Sequence, residues 1–342
     1  MSSTMKAAVV TQFGKPLEVK QIPIPKPGPK EILVRIAYTG ICGTDHHAWK
    51  GDWPVKPTLP FTPGHEGVGR IVEAGAEVQH VKVGDLVGIP WLYSACGDCE
   101  YCYSGWETLC SEQKNAGYSV NGTLAEYCIA NPDYVARVPE GVDLPHVAPV
   151  LCAGLTVYKG LKVTDAKAGN WVLISGLGGL GQLGIQFAKA MGFNVIGVDI
   201  DDQKVEHAKK LGATYAYNAI KTDVAKTIQD TVGGVHGCIV TAVSNVAFSQ
   251  ALGAVRRRGT MSLIGLPSGD FPLDIISTVM KGITIRGSIV GTRMDMIEAL
   301  GFFERGQIHN DIEIDELDNV NAVMTLMDQG KLPGRVVFDL SK

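Results

Sequence analysis

No stretch of this 342-residue chain approaches the roughly 18 consecutive apolar residues that a membrane-crossing helix requires, and Met1 to Thr11 holds no sustained apolar segment of the kind that directs secretion. A positive field is missing too. Against 31 Lys and Arg stand 35 Asp and Glu, a formal net charge of −4, so nothing in the overall charge attracts a phosphate backbone. Charged residues make up only 19% of the chain and hydrophobic ones 45%, a balance that excludes intrinsic disorder. Internal repeats are absent. Cysteine is scarce for such a length, eight in all, too few for the disulfide-dense scaffold of a small secreted domain. These absences predict a cytoplasmic globular protein without nucleic-acid or membrane partners, and at roughly 100 to 200 residues per domain the length asks for two domains.

The cysteines that are present are unevenly placed. Cys96, Cys99, Cys102 and Cys110 form a C-x2-C-x2-C-x7-C run within 15 residues. Short connections between cysteine pairs let four sulfurs converge on a tetrahedral zinc ion at about 2.3 Å each. An iron–sulfur cluster is the other centre that closely spaced cysteines serve. Four thiolates would close a zinc shell, so the ion here is expected to be structural, fixing a lobe at about residues 94–112 that has no core of its own. Cys128 and Cys238 belong to no motif and are expected in the core as small apolar side chains.

Up to about residue 150 the chain reads as short strands cut by Gly and Pro: Lys6 to Val10, Glu31 to Tyr38, Val68 to Glu73, Asp85 to Ile89, Thr123 to Ile129 and Tyr134 to Val138. This half predicts a β-rich, barrel-like domain. Pro23 to Pro29 carries four prolines in seven residues and should be an extended surface connection. From about Ala166 apolar strands alternate with helical patterns. The strands are Trp171 to Ser175, Val195 to Asp199, Thr214 to Tyr217, Gly237 to Val243, Gly259 to Ile264 and Ile283 to Ser288, with helices over Leu180 to Met191 and over Lys204 to Leu211, the latter stopped by Gly212. That rhythm predicts an α/β fold with a doubly wound parallel sheet. After Val290 come one helical segment, Val320 to Gln329, and a strand, Arg335 to Leu340, a tail expected to rejoin the first domain. Arg256-Arg257-Arg258, the one notable basic cluster, reads as a solvated helix end and not as a groove reader.

Gly176-Leu177-Gly178-Gly179-Leu180-Gly181 fits G-x-G-x-x-G between a strand and a helix. There the glycines permit a tight turn, close approach of a pyrophosphate and helix-to-sheet packing, with the helix N-terminus facing the phosphates. Asp199 ends the next strand 18 residues past Gly181, where a carboxylate can accept from the adenosine ribose hydroxyls. A 2′-phosphate held about 4 Å from that carboxylate would be repelled by about 4 kcal/mol at an effective dielectric near 20, roughly a thousandfold, so NAD is expected over NADP.

Two further segments are rich in ligand types: Gly40-Ile41-Cys42-Gly43-Thr44-Asp45-His46-His47 and Gly64-His65-Glu66-Gly67-Val68-Gly69. Taken with the cysteine run, the glycine fingerprint, Gly51-Asp52-Trp53-Pro54, the segment Leu151 to Lys159 and the closing Gly334-Arg335-Val336-Val337, the chain resembles the zinc-dependent medium-chain alcohol dehydrogenases over nearly its whole length, most of all their bacterial and yeast ethanol-active branch. The resemblance implies a β-rich GroES-like catalytic domain at residues 1–153 and 291–342, carrying the lobe, and a Rossmann domain at 154–290. It assigns a catalytic zinc to Cys42, His65 and Cys152, with Glu66 an alternate ligand or a neighbour of the metal, and a structural zinc to Cys96, Cys99, Cys102 and Cys110. Two thiolates and one imidazole neutralise the ion and leave a Lewis-acid position for water or substrate.

The resemblance also implies that Asp45 orients His65 and that Thr44 takes the substrate proton, which passes through the nicotinamide ribose to His47 and solvent. Gly176, Gly178, Gly179, Leu180, Gly181, Asp199 and Lys204 would hold the cofactor, with Thr156 near its nicotinamide and Arg335 at its pyrophosphate. Trp53 and Trp91 would narrow the pocket toward ethanol and short primary alcohols. One position departs from the pattern. Gly43 stands where many relatives carry a basic residue that touches the pyrophosphate, so weaker NAD(H) binding and quicker release are expected than in a Gly43→Arg variant. Relatives of this branch are commonly homotetramers. A polyol or formaldehyde dehydrogenase of the same superfamily is the neighbouring reading, and a non-enzymatic zinc protein that senses dinucleotide the distant one.

Overall fold

The alternating pattern from Trp171 onward folds as a six-stranded sheet in the computed structural model, which describes residues 3–332 and 334–341. Its strands are Trp171–Ser175, Asn194–Asp199, Tyr215–Asn218, Val235–Val240, Val255–Leu263 and Thr284–Gly287, and every neighbouring pair is parallel. Across the sheet the order is third, second, first, fourth, fifth, sixth, the doubly wound order whose ligand crevice opens where the winding reverses. Leu173, Ile196, Val198, Cys238 and Val240 are buried among Val224, Ile228 and Phe248 of the covering helices. Parallel strands covered on both faces read as near-continuous apolar runs, which is why they were visible in the sequence. The helix Asp202–Leu211 starts where the Asp201 carboxylate accepts from the Gln203 N–H and stops where Gly212 turns left-handed at φ 109°.

This sheet belongs to one of two units, which comprises Ala153–Gly291 together with Arg305–His309. The short return of Arg305–His309 was not foreseen. It is held because the Gln186 side chain, on the helix Gly179–Ala190, accepts from the His309 N–H and donates to the His309 carbonyl, at 2.8 Å each. The basic cluster is also corrected: Arg256, Arg257 and Arg258 open the strand Val255–Leu263 and do not end a helix. Arg256 meets His236 and Arg257 donates to the Met280 carbonyl, so tertiary partners draw them into the strand.

The other unit takes the chain up to Cys152, Thr292–Glu304 and the part from Asn310 onward. Its main sheet has seven strands, running Ile312–Glu316, Arg335–Asp339, Ile32–Gly40, Gly67–Ala74, Leu86–Ile89, Ala136–Arg137, with Tyr127–Ala130 also paired to Ile32–Gly40. Three registers matter for the site. Thr39 pairs with Gly67 across antiparallel strands, Val337 pairs with Gly40, and the Ile41 N–H donates to the Val336 carbonyl. The end of one strand, the start of the next and the closing strand of the chain therefore lie side by side. The lobe is a two-stranded pairing of Leu92–Ser94 with Lys114–Asn115 around one helical turn, Glu100–Tyr103, and a 3-10 turn, Glu107–Leu109. Tyr101, Tyr103, Trp106 and Leu109 are exposed, so the lobe has little apolar interior.

Candidate active site

The strand Ile32–Gly40 delivers Cys42 to the cap of the helix Gly43–Lys50, and the neighbouring strand begins just after His65 and Glu66. Cys152 follows the fully buried 3-10 turn Ala148–Leu151. One ligand atom from each of Cys42, His65, Glu66 and Cys152 lies within 4.8 Å of the others, and all four residues are buried. Gly40 allows this closeness, since a Cβ there would stand 2.0 Å from a Glu66 carboxylate oxygen.

Asp45 ties the segments together. Its Oδ1 lies 2.9 Å from His65 Nδ1 and accepts from the Gly64 N–H at 3.0 Å, while Oδ2 accepts from the Cys42 N–H at 2.9 Å. A carboxylate only accepts, so His65 donates through Nδ1 and turns Nε2 toward the sulfurs, 3.2 Å from Cys152 Sγ. Cys42 Sγ and Cys152 Sγ are 3.7 Å apart, far beyond the roughly 2.05 Å of a disulfide and close to the edge of a tetrahedron with about 2.3 Å metal–sulfur bonds. The donor set therefore fits zinc in both chemistry and size.

The electrostatics are those of a cage. A hydrogen bond from Cys152 pulls the Cys42 thiol well down, against burial and with help from His65 and Arg335. Its partner Cys152 is pushed up by that same bond and by burial. Burial alone would lower His65, but the charge of Asp45 and its hydrogen bond outweigh it and raise the imidazole. Burial lifts Glu66 to about 7, partly offset by Arg335. The Arg335 guanidinium donates to both Glu66 oxygens, and its Nε has no partner among the described residues. Arg335, expected at a pyrophosphate, thus lies beside the sulfur cage.

Aromatic rings wall this centre. Trp91 meets the His65 ring edge-on at 5.3 Å, Tyr118 packs 5.6 Å from both Trp91 and Trp53, and Trp53 stacks on His47 at 5.1 Å. Tyr118 was missed in the sequence, where one tyrosine after a glycine carries no signal. Its hydroxyl donates to the Val55 carbonyl. Thr44 is the second residue of the helix and half-buried; His47, one turn on, pairs with Asp52. At Gly43 a Cβ would meet nothing within 4 Å.

In the lobe, the sulfurs of Cys96, Cys99, Cys102 and Cys110 also gather within 4.8 Å. Backbone N–H groups of Cys96 and Glu112 point at Cys110 Sγ and that of Gly97 at Cys102 Sγ, each at 3.4 Å, which fixes the direction in which the two sulfurs face. Glu107 is buried beneath and accepts from Arg293 Nε at 3.0 Å, and that guanidinium lies over the Tyr134 ring. Cys128 and Cys238 lie apart from both groups in the core, where burial pushes both thiols up, Cys128 to about 12.

In the parallel sheet the glycine turn is as tight as its residues allow. Gly176 has φ 94°, and a Cβ on Gly181 would stand 1.9 Å from the Gly176 carbonyl oxygen. Gly178 caps the helix Gly179–Ala190 without any side-chain hydrogen bond, so the first-turn N–H groups keep their capacity to bind an anion. Leu180 is half-buried at the start of that helix. The Asp199 carboxylate accepts from the N–H groups of Leu177, Ile200 and Asp201 at 2.7, 2.8 and 3.1 Å, which fixes it beside the turn. Lys204 is exposed on the next helix and Thr156 is buried in Ala153–Lys162. This turn fits a dinucleotide pyrophosphate and ribose.

Comparison with known proteins agrees with this geometry. Residues 28–140 match the alcohol dehydrogenase GroES-like domain and residues 179–305 the zinc-binding dehydrogenase domain. An alcohol dehydrogenase of Moraxella sp. (strain TAE123) is 56% identical over 98% of this chain and 99% of its own length. One from Geobacillus stearothermophilus is 54% identical over 99% of this chain and all of its own length (100%). Among solved structures, the alcohol dehydrogenase of the hyperthermophilic archaeon Aeropyrum pernix superposes with a TM-score of 0.89 at 29% identity, covering 98% of this chain and 99% of that one.

Proposed function

Since this chain belongs to the zinc-dependent medium-chain alcohol dehydrogenases, we propose that it oxidises ethanol and short primary alcohols to aldehydes with NAD, and runs the reverse reduction with the same groups. The observation that carries this reading is the buried convergence of Cys42, His65 and Cys152, with the Glu66 carboxylate turned to Arg335. Three protein donors of the Cys2His kind already known for alcohol dehydrogenases leave a coordination position to the substrate. When bound, zinc supplies the Lewis acidity that makes an alcohol proton removable near neutrality, and the nicotinamide accepts the hydride.

The chain's own residues do the rest. Cys42, His65 and Cys152 would hold the ion, and Asp45 keeps the His65 ring in the tautomer that presents Nε2. Thr44 takes the hydroxyl proton and His47 passes it to water. The stacked rings of Trp53, Tyr118 and Trp91 occupy the space a branched substrate would need. Gly176 to Gly181 seat the pyrophosphate and Asp199 the ribose diol, where a 2′-phosphate meets its charge. The four lobe cysteines, whose sulfurs gather within 4.8 Å, would hold a second, structural zinc. A homotetramer in the cytoplasm completes the reading. It draws support from the helix Ile275–Lys281, none of whose residues is buried and whose Ile275, Ile276, Val279 and Met280 are 68–77% exposed. NADH formation from an alcohol panel tests the proposal: ethanol should lead, NADP should be poor, and a chelator should abolish the rate until zinc is restored. Faster turnover of secondary or cyclic alcohols than of ethanol would overturn the substrate assignment.

A further inference from the structure

Gly51, left-handed at φ 63°, ends the helix Gly43–Lys50 and turns the chain back over it. The turn brings up Asp52, a carboxylate used by neither metal cluster. Its Oδ1 and Oδ2 lie 2.9 and 3.1 Å from His47 Nδ1. Because the carboxylate can only accept, Nδ1 carries the hydrogen and donates it, leaving Nε2 of the neutral ring as acceptor. The next residue, Trp53, covers the face of the same imidazole, with planes 21° apart. Tyr118 backs the indole and binds the Val55 carbonyl, so the loop itself is anchored. One ring is thus gripped at its edge and on its face by consecutive residues. The other charged groups nearby are engaged elsewhere: His46, whose ring lies 6.0 Å from that of His47, and Lys50 both face Asp328.

We propose that Asp52 is the positioning residue of the proton outlet, holding His47 in the one tautomer and orientation that let Nε2 receive the proton released by the alcohol. The inference rests on the reading of His47 as the end of the proton path. During oxidation the Nε2 lone pair takes the proton handed on from the Thr44 side, Nδ1–H stays on Asp52, and the ring becomes an imidazolium opposite a carboxylate. Water then removes the Nε2 proton, and the ring returns to its starting tautomer. In aldehyde reduction the same proton enters from water through Nε2. Without Asp52 the ring is free to populate the other tautomer, which has no acceptor where one is needed.

The test is first-turnover proton release on mixing enzyme, NAD and ethanol, followed with a pH-indicator dye in stopped flow. Asp52→Asn keeps a polar tether without the charge and is expected to slow release roughly three- to thirtyfold, part of the about 10²–10⁴ that a positioned acid–base group supplies. Asp52→Ala should slow it at least as much. Zinc content, melting temperature and NADH affinity should stay as in wild type, and imidazole buffer should restore release. His47→Gln should be slow by itself, and adding Asp52→Asn to it should change nothing further. A wild-type rate in Asp52→Asn beside a slow His47→Gln overturns the role of Asp52, as does a full additional loss in the double variant. A wild-type rate in His47→Gln removes the relay reading itself and this inference with it.

Discussion

Among single residues, Asp45 has the widest reach, because one buried carboxylate serves three donors on two ligand segments. Asp45→Asn retains the size of the side chain but loses the charge that sets the His65 tautomer. Zinc affinity at the buried site should fall about 10- to 100-fold, with a matching loss of activity, read by competition with a chromophoric chelator. The lobe zinc should be unaffected, so retention of one ion per chain checks the assignment. Trp53 belongs to a wall of rings and not to the cage. Trp53→Ala should therefore leave zinc content alone, raise kcat/KM for longer or branched alcohols roughly tenfold relative to ethanol, and also loosen His47. A panel showing unchanged ratios would remove Trp53 from the pocket. At this scale the two clusters were legible because Cys and His in short motifs are chemically conspicuous, and the side chains so marked do gather. Asp52 and Tyr118 were not, because their roles come from a left-handed turn and from ring packing that no spacing announces.

At the scale of elements, the parallel strands were readable from their apolar runs, whereas the helix Gly43–Lys50 was not. Its sequence has no apolar period, and its start depends on the Asp45 carboxylate returning to the Cys42 N–H. The expected strand over Thr123 to Ile129 shortens to Tyr127–Ala130, because Thr123 and Leu124 give their N–H groups to the Gly64 and Pro63 carbonyls just before His65. The acidic edge strand Ile312–Glu316 was also missed, since only its register with Arg335–Asp339 makes it a strand. The glycine turn offers a direct test. Gly181→Ala would force a methyl against the Gly176 carbonyl, so the turn must open. A loss of about 2–4 kcal/mol of stability, with NADH binding weakened beyond detection by fluorescence, is the expected result.

A second test at this scale concerns the joint between lobe and body. Burial pulls Glu107 upward, but hydrogen bonds from its own backbone and from Arg293 outweigh that and hold its carboxyl below the usual 4.5. A carboxyl depressed in the folded state contributes stability that is complete above its unfolded value and vanishes as pH falls through the folded one. Melting temperature should therefore drop on acidification below about 4.5. Glu107→Gln should lower stability at pH 7 by about 1–3 kcal/mol and make the acid slope shallower. Equal slopes for the two proteins would dissociate Glu107 from acid lability.

For the molecule as a whole, the proposed assembly hangs on an apolar surface that the chain by itself leaves wet. Lysine at both Ile276 and Met280 adds charge where each side chain is about two-thirds or more exposed, so the isolated chain should tolerate it. Light scattering should show smaller particles than wild type, with zinc and NADH binding preserved. Wild-type mass in that variant would place the contact elsewhere.

The stitching of both cage segments by Asp45 also bears on the order in which the ions leave and return. A nest already knotted by protein hydrogen bonds keeps its shape when emptied, so reloading should be quick, stoichiometric and blind to refolding. The cysteine lobe, with Tyr101, Tyr103 and Trp106 facing water, has little apolar interior to hold it without the proposed ion. Stripping should slacken that corner of the molecule, and its zinc should come back at the pace of a folding reaction.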